Sequence, residues 1–307
     1  MTILKINNTI WIDIQNPTES DFEYLKTTFQ LYPATLVEIE NESASTKIEH
    51  HDNYILLVMH IPIFDQHSKS TTPQKISILA TKTHMITVHT EEIVPINDFR
   101  YGCGVDKISN QCNAETAEQL LYFFLNNILS FYLRQLNHIN TKITVVEEEV
   151  FQAKNQQNTL KEISIIKRDI LDFRRIIKPN EHILKSLQNV EEQFFNDKQY
   201  RAYLDNLIAN YDRAWNILDN YKETIESLEN TNTGLLSLQI NSTIKIFTLL
   251  SGVILPATFF LSFVDLAVFL ELPFMFQEAH RNYLIVLTIS GAIIVSFCIL
   301  LKIKKIF

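Results

Sequence analysis

Polar side chains recur on one face of an otherwise apolar stretch in the last quarter of the chain. Their intervals of three and four residues place them on one side of a helix. This polar stripe comprises Thr248, Ser251, Thr258, Ser262 and Asp265, with Leu255 completing the spacing. Hydroxyl oxygens could hold the water shell of a small hydrated cation, and Mg²⁺ gives up its waters reluctantly. The stripe is therefore typical of two arrangements, a helix face along a water-filled ion path and a face packed tightly against a neighbouring helix.

The polar stripe could line a pore only if several copies of the chain surrounded one axis, because two membrane helices cannot enclose a pore alone. In such an assembly Ile244, Phe247 and Leu255 would form apolar constrictions, which can close by losing water. Asp265 lies near the outer end of the stripe. One such carboxylate per subunit would make an anionic ring that attracts cations.

Two uncharged apolar segments predict the helices that would cross the membrane. Residues 246–264 and 283–301 carry no formal charge, and roughly 20 such residues span hydrocarbon as a helix. Lysines at 245, 302, 304 and 305 indicate that both termini are cytoplasmic. We therefore expect a multi-pass protein of the cell (inner) membrane, lying in the lipid bilayer. Its parts are a pore-lining membrane helix over 246–270, an extracytoplasmic connector over 271–282, a second membrane helix over 283–301 and a basic tail over 302–307.

The residues before these segments predict an α+β arrangement. Strands are expected from alternating apolar residues at 9–14, 54–61, 75–80 and 84–89, with a helix over 20–29 and an exposed hairpin loop over 65–73. We assign residues 1–110 to a mixed α/β cytoplasmic domain. The histidines at 60, 84 and 89 are interpreted as ordinary sheet residues, because alternation places the last two on opposite faces.

Helical periodicity dominates the middle of the chain. Apolar residues over 115–150 and 159–178 predict two amphipathic helices within a helical part assigned to 111–200. A seam from Leu204 to Leu228, with steps of three and four residues, predicts a stalk helix over 201–245. Gly234 could bend or fray this helix before it enters the membrane.

A second stripe on the stalk is acidic. Its members lie seven residues apart: Asp205, Asp212, Asp219 and Glu226. Carboxylate oxygens on one helix face could collect a hard divalent cation between subunits, which would make them a regulatory metal site. The simpler interpretation is that they keep an exposed face hydrated.

Composition argues against several other functions. A net charge of −8 disfavours a nucleic-acid partner, because a duplex binder needs a basic face. Three cysteines in unrelated contexts predict no disulfide framework and no tetrahedral metal site. The five glycines form no phosphate-cradling loop or nucleophile elbow. We therefore expect no enzyme, no catalytic residue and no cofactor, with a divalent cation as the permeant ion and as a candidate regulatory ligand.

Several short motifs precede the apolar segments in a specific order. They are Trp11-Ile12-Asp13-Ile14, Met59-His60-Ile61-Pro62, Met85-Ile86-Thr87-Val88-His89, the run from Ile166 to Arg175, the run from Asn241 to Thr248, and Leu255-Pro256-Ala257-Thr258-Phe259. In these motifs, and over nearly its whole length, the chain resembles the CorA family of divalent-cation channels. The resemblance implies a funnel-shaped homopentamer that carries Mg²⁺, sometimes Co²⁺ or Ni²⁺. It also implies closure when intracellular Mg²⁺ occupies acidic sites between cytoplasmic domains. It assigns pore-lining positions to Asn241, Ile244, Phe247, Leu255 and Thr258.

One departure from the family concerns ion entry. A Gly-Met-Asn triplet marks the outer end of the family's first membrane helix, where this chain has Val264-Asp265-Leu266-Ala267. The connector retains Glu271 and Glu278, which we assign to ion entry together with Asp265. An Asp265 ring would attract cations more strongly but relax size selectivity, so Zn²⁺ joins the expected cargoes. The alternative is a homologue that no longer conducts and serves as a regulatory or scaffolding pentamer. We favour transport down the electrochemical gradient.

Overall fold

A mixed β-sheet forms the centre of residues 1–232, the first of two units into which the chain divides; the second is 233–307. The structure is a computed structural model that describes residues 1–65, 70–104, 114–152, 156–188, 200–269, 288 and 291–292. The strands are β1 (Thr2–Ile6), β2 (Thr9–Gln15), β3 (Lys47–His50), β4 (Ile55–Asp65), β5 (Ser70–Ala80) and β6 (His84–His89). Their order in the sheet is β1-β2-β6-β5-β4-β3.

The sheet is antiparallel except at its centre, where β2 and β6 run parallel with Asp13 opposite Thr87. Alternation along β2 sends Ile12 and Ile14 to one face and Trp11 and Asp13 to the other. A two-residue turn joins β1 to β2, and its Asn7 has a φ of 50°. Asparagine tolerates this left-handed conformation better than most residues, which explains the tight hairpin.

Helices cover both faces of the sheet. On one face α1 (Glu19–Phe29) and α2 (Pro33–Glu40) bury Leu25 and Ile39 against apolar residues of β2, β4, β5 and β6. On the other lie α3 (Val94–Gly104), α4 (Ala117–Gln152) and α5 (Gln156–Ile177). There the Trp11 ring meets Phe99 of α3 edge-on at 5.2 Å between centroids and Phe124 of α4 at 5.9 Å. A short helix, α6 (Asn180–Leu187), follows Pro179.

Helix α7 (Tyr200–Phe269) is the longest element, at 70 residues. The predicted seam is buried in the first unit. Each of its members between Leu204 and Leu228, spaced three or four residues apart, is buried except Tyr221, which is half-buried. The Tyr211 hydroxyl donates to the Ile177 carbonyl oxygen at 3.2 Å, which ties α7 to the end of α5. The helical assignment of α7 continues through Gly234, so the fraying that this glycine could have caused is not found.

Two expectations from the sequence are wrong. Residues Ser70–Pro73 do not belong to an exposed loop, because β5 already begins at Ser70 and Pro73 pairs with Pro62. Neither proline has an N–H, so the two occupy a position where no backbone hydrogen bond is needed. Cys103 is disulfide-bonded, although no disulfide framework was expected. Spacing along the chain does not reveal which cysteines meet in space.

Candidate ion pathway on helix α7

The part of α7 in the second unit carries the polar stripe. Two of its hydroxyl groups donate hydrogen bonds to the backbone of the same helix. The Thr248 hydroxyl donates to the Ile244 carbonyl oxygen at 2.8 Å, and the Thr258 hydroxyl donates to the Leu255 carbonyl oxygen at 3.0 Å. Because each proton is used within the helix, the oxygen lone pairs remain available as acceptors. Acceptors of this kind suit the hydrogen atoms of water molecules around a cation.

All of the predicted pore-lining residues lie on one side of α7. At about 100° per residue they fall within about 120° of the helix circumference. In the single chain every one is exposed: Asn241, Ile244, Phe247, Thr248, Ser251, Leu255, Thr258 and Ser262. The large apolar members are exposed by 56% at Ile244, 65% at Phe247 and 66% at Leu255. Exposed apolar surface of this extent is typical of a membrane span or of an interaction surface.

Pro256 lies inside this helix, one residue after Leu255. A proline has no N–H, so the hydrogen bond to the carbonyl oxygen of Gly252 is missing from the helical ladder. The helix nevertheless continues to Phe269. This stretch of α7 therefore offers one backbone acceptor, at Gly252, in addition to the hydroxyl oxygens.

Asp265 is exposed near the end of α7. At helical spacing it follows Ser262 by three residues, so it extends the polar stripe. The other two residues predicted for ion entry, Glu271 and Glu278, lie outside the described residues. Their relation to Asp265 therefore stays a prediction.

The apolar part of α7 qualifies as a membrane helix. Among the described residues, this is the helix that is long and apolar enough to span a bilayer, with a mean hydropathy of 1.5 in its most apolar window and none of that window buried. The connector over 271–282, nearly all of the second predicted membrane helix over 283–301 and the tail over 302–307 lie outside the described residues. Of the second helix, residues 288, 291 and 292 are described and helical.

The acidic stripe of α7 lies in the first unit, where several of its members already have partners. Arg174 donates to Asp219, and Gln188 donates to Asp205 at 3.1 Å. Glu226 lies 3.8 Å from the Lys222 ammonium. Within one chain the structure, as far as it is described, places no three His, Cys, Asp or Glu side chains close enough to hold a metal ion. A regulatory site here would need ligands from another copy and stays a prediction.

Sequence reasoning missed the basic partners of these carboxylates. Arg174 lies in the motif from Ile166 to Arg175, and its position four residues after Ile170 on the amphipathic α5 suggests a packed face. Nothing in the spacing shows that it meets Asp219, 45 residues later. The interpretation of the histidines as ordinary sheet residues agrees with the structure at His89, which lies in β6 and whose ring donates to the buried Asp13 carboxylate at 3.2 Å.

Comparison with known proteins agrees with this architecture. A family model described as CorA-like Mg²⁺ transporter protein matches residues 7–305. The cobalt/magnesium transport protein CorA of Thermotoga maritima is 24% identical over 311 residues, which cover 96% of this chain and 82% of that protein.

Solved structures show the same fold, an N-terminal α/β domain followed by a long helix. The CorA magnesium transporter of Methanocaldococcus jannaschii has a TM-score of 0.76 at 16% identity and covers 96% of this chain and 90% of its own. The full-length CmaX protein has a TM-score of 0.70 at 14% identity, over 94% of this chain and 88% of its own. With a family match across both units, the chain belongs to the CorA-like Mg²⁺ transporter family.

Proposed function

We propose that several copies of this chain form a channel that conducts Mg²⁺ and other divalent cations along the polar stripe of α7. The observation that carries the proposal is the alignment of the hydroxyl-bearing residues on one exposed face of an apolar helix. Thr248 and Thr258 donate to carbonyl oxygens of their own helix, so both keep acceptor oxygens available. A row of acceptors without fixed charge suits a cation that travels with its water shell.

The distribution of side chains around α7 supports the proposed assembly. The stripe occupies about a third of the circumference, and apolar residues such as Ile246 and Leu250 cover the remainder, with exposures of 57% and 55%. A helix of this kind fits a ring in which the stripe faces a wet axis and the remainder faces lipid or the second membrane helix. A homopentamer, as the family resemblance implies, is the proposed ring.

Asp265 replaces the neutral ring of the family triplet with a charged one. In a pentamer, five carboxylates at the outer mouth would concentrate divalent cations before entry. The membrane potential then supplies the driving force, about 4.6 kcal/mol for two charges across 100 mV. Charge alone does not distinguish hydrated Mg²⁺ from Co²⁺, Ni²⁺ or Zn²⁺, so a broad cargo range is proposed.

A second candidate function is a non-conducting, regulatory or scaffolding pentamer. The observation that favours it is the sequence Val264-Asp265-Leu266-Ala267 in place of Gly-Met-Asn. A carboxylate ring that held a divalent ion too tightly would block the mouth, because conduction requires release as well as binding. The two candidates differ in one measurable property, the flux of divalent ions.

Flux through the purified full chain in liposomes separates them. With a potential that is negative inside, the channel should admit Mg²⁺, Co²⁺, Ni²⁺ or Zn²⁺ to an internal indicator dye, and a scaffold should admit none. Thr248→Val removes a stripe hydroxyl and should lower the flux severalfold. Thr243→Val is the matched control. The Thr243 hydroxyl also donates to the carbonyl oxygen four residues earlier, that of Gln239, at 3.0 Å, but Thr243 lies off the stripe. Equal loss in both variants would count against the stripe as the ion path.

A further inference from the structure

A cavity of about 320 Å³ lies in the first unit, between the far end of the β4–β5 hairpin and helices α4 and α5. It is separate from α7 and is not part of the proposed ion path. Its volume is at the low end of the range for small-molecule sites. Its aromatic lining residues, Phe64 and Phe173, are called the apolar wall, and its polar ones, Thr71, His138, Lys142 and Asp169, are called the polar wall.

An ion pair at the polar wall fixes a cation beside the cavity. The Asp169 side chain is 2% exposed, and its carboxylate accepts hydrogen bonds from the Thr71 hydroxyl at 2.5 Å and from the Lys142 ammonium at 3.2 Å. A buried carboxylate without such donors would be costly. Asp169, itself held by Thr71, therefore keeps Lys142 in place, and the Lys142 side chain remains 38% exposed.

Lys142 also contacts the apolar wall. Its ammonium nitrogen lies 3.8 Å from the centre of the Phe64 ring, within cation–π distance. An ammonium group has three N–H donors. The bond to Asp169 uses one of them, so a ligand in the cavity could receive another.

His138 adds a second polar group to the same wall. It lies four residues before Lys142 on α4, so both side chains occupy the same helix face, and both line the cavity. Phe173 of α5 also lines the cavity; it is 1% exposed, and its ring packs edge-on against Tyr132 at 5.9 Å between centroids. This packing holds the apolar wall firmly in position.

We propose that this cavity binds a small organic anion. The anion's carboxylate or phosphate group would receive hydrogen bonds from Lys142 and His138, and its flat apolar body would lie against the half-buried Phe64. A metal ion is a poorer fit, because the one carboxylate that lines the cavity is already bound by Lys142.

Calorimetric titration of the purified full chain tests the proposal with simple probes. Phenyl phosphate and benzoate combine an anionic group with a ring, while inorganic phosphate and phenol each supply one part alone. We expect binding of phenyl phosphate, benzoate or both at millimolar concentration or below, at least about fivefold tighter than phosphate or phenol. No binding of either compound at 10 mM, or equal affinity for phosphate alone, would overturn the proposal.

Variants locate the site. Lys142→Met and His138→Gln should each weaken binding by about fivefold or more, which is within the range for a hydrogen bond to a charged group. Lys142→Arg should restore binding in part, which guards against misfolding caused by the unpaired Asp169. Lys161→Met and His182→Gln change exposed residues outside the cavity and are the matched controls. Affinity unchanged in both cavity variants, or lowered equally in the controls, would place the anion elsewhere and overturn the proposal.

Discussion

The guanidinium of Arg174 on α5 is hydrogen-bonded to the carboxylate of Asp219 on α7, and it lies 4.6 Å from the centre of the Trp215 ring. The hydrogen bond from Arg174 holds the pKa of Asp219 below its ordinary value. One of the four carboxylates proposed as a regulatory Mg²⁺ site is thus ionised and already paired within its own chain. A metal ion at Asp219 would have to displace Arg174 or share the carboxylate with it.

Arg174→Gln should therefore shift Mg²⁺-dependent protection from proteolysis to lower Mg²⁺ concentration. The shift should be a few-fold at most, because a partly exposed ion pair is weak. Neutralising Asp205, Asp212, Asp219 and Glu226 together should remove the protection. Full protection in that fourfold variant would show that the acidic stripe is only a hydrated surface.

Asp265→Asn should lower divalent uptake in proteoliposomes, because it removes the charge that concentrates cations at the mouth. We expect a loss of about threefold to tenfold at low ionic strength, and a smaller difference in high salt, where screening weakens attraction. Asp265→Glu keeps the charge and is the control. Equal flux through wild type and Asp265→Asn would remove this residue from ion entry.

Leu255→Ser should raise divalent flux when internal Mg²⁺ is high. A hydroxyl in place of the apolar side chain would keep the proposed constriction hydrated, so the pore could not close by losing its water. Phe247→Ser should act in the same direction. Leu250→Ser is the matched control, since it makes the same exchange about 140° away around the helix. If Leu255→Ser and wild type conduct alike at both low and high internal Mg²⁺, the gate lies elsewhere.

Asp13→Asn should destabilise the first unit by about 2 kcal/mol, because this carboxylate is 2% exposed and accepts hydrogen bonds from Thr87, His89 and Arg100. Burial by itself raises the pKa of Asp13, but hydrogen bonds from His89 and Thr87 and the charges of His89 and Arg100 outweigh it and lower the pKa. The unfolded chain therefore takes up the proton first, near pH 3.8. This stabilisation is complete above that pH and is lost as the pH falls through the lower folded pKa.

Urea unfolding followed by circular dichroism between pH 2 and pH 7 measures this effect. Wild type should lose stability at the acid end, and Asp13→Asn should show a flatter acid limb. Asp52→Asn changes an exposed aspartate in a turn and is the control. An acid limb equally steep in Asp13→Asn would assign the acid sensitivity to other groups.

Much of the fold could be predicted because burial leaves a periodic record in the sequence. The seam from Leu204 to Leu228 and the strand over 84–89 follow this rule, and both are observed. The short strands β1 and β3 and the helices α2 and α3 were missed. Each is brief, and pairing or packing with distant residues stabilises it more than its own pattern indicates. The prediction of a loop over 65–73 was wrong at 70–73 for a related reason. Pro73 indicates a loop when the sequence is considered alone, but in the sheet it pairs with Pro62 on the neighbouring strand.

The candidate sites divide in the same way. The polar stripe could be predicted because all its members lie on one helix, where spacing alone defines a face. The organic-anion cavity could not, because Phe64, Lys142 and Asp169 come from β4, α4 and α5. Such contacts arise only when the sheet and the helices pack together.

The two rims of the sheet are its shortest strands, β1 with five residues and β3 with four, and both carry charged side chains such as Lys5 and Lys47. Lys47 is also engaged by Glu38 and Glu49, each at 2.8 Å. Brief, charged rims resist pairing with strands of other molecules. During translation many copies emerge close together before their apolar segments reach the lipid. At that stage the edge strands of one molecule should not pair with those of another, so the sheet should fold without aggregating.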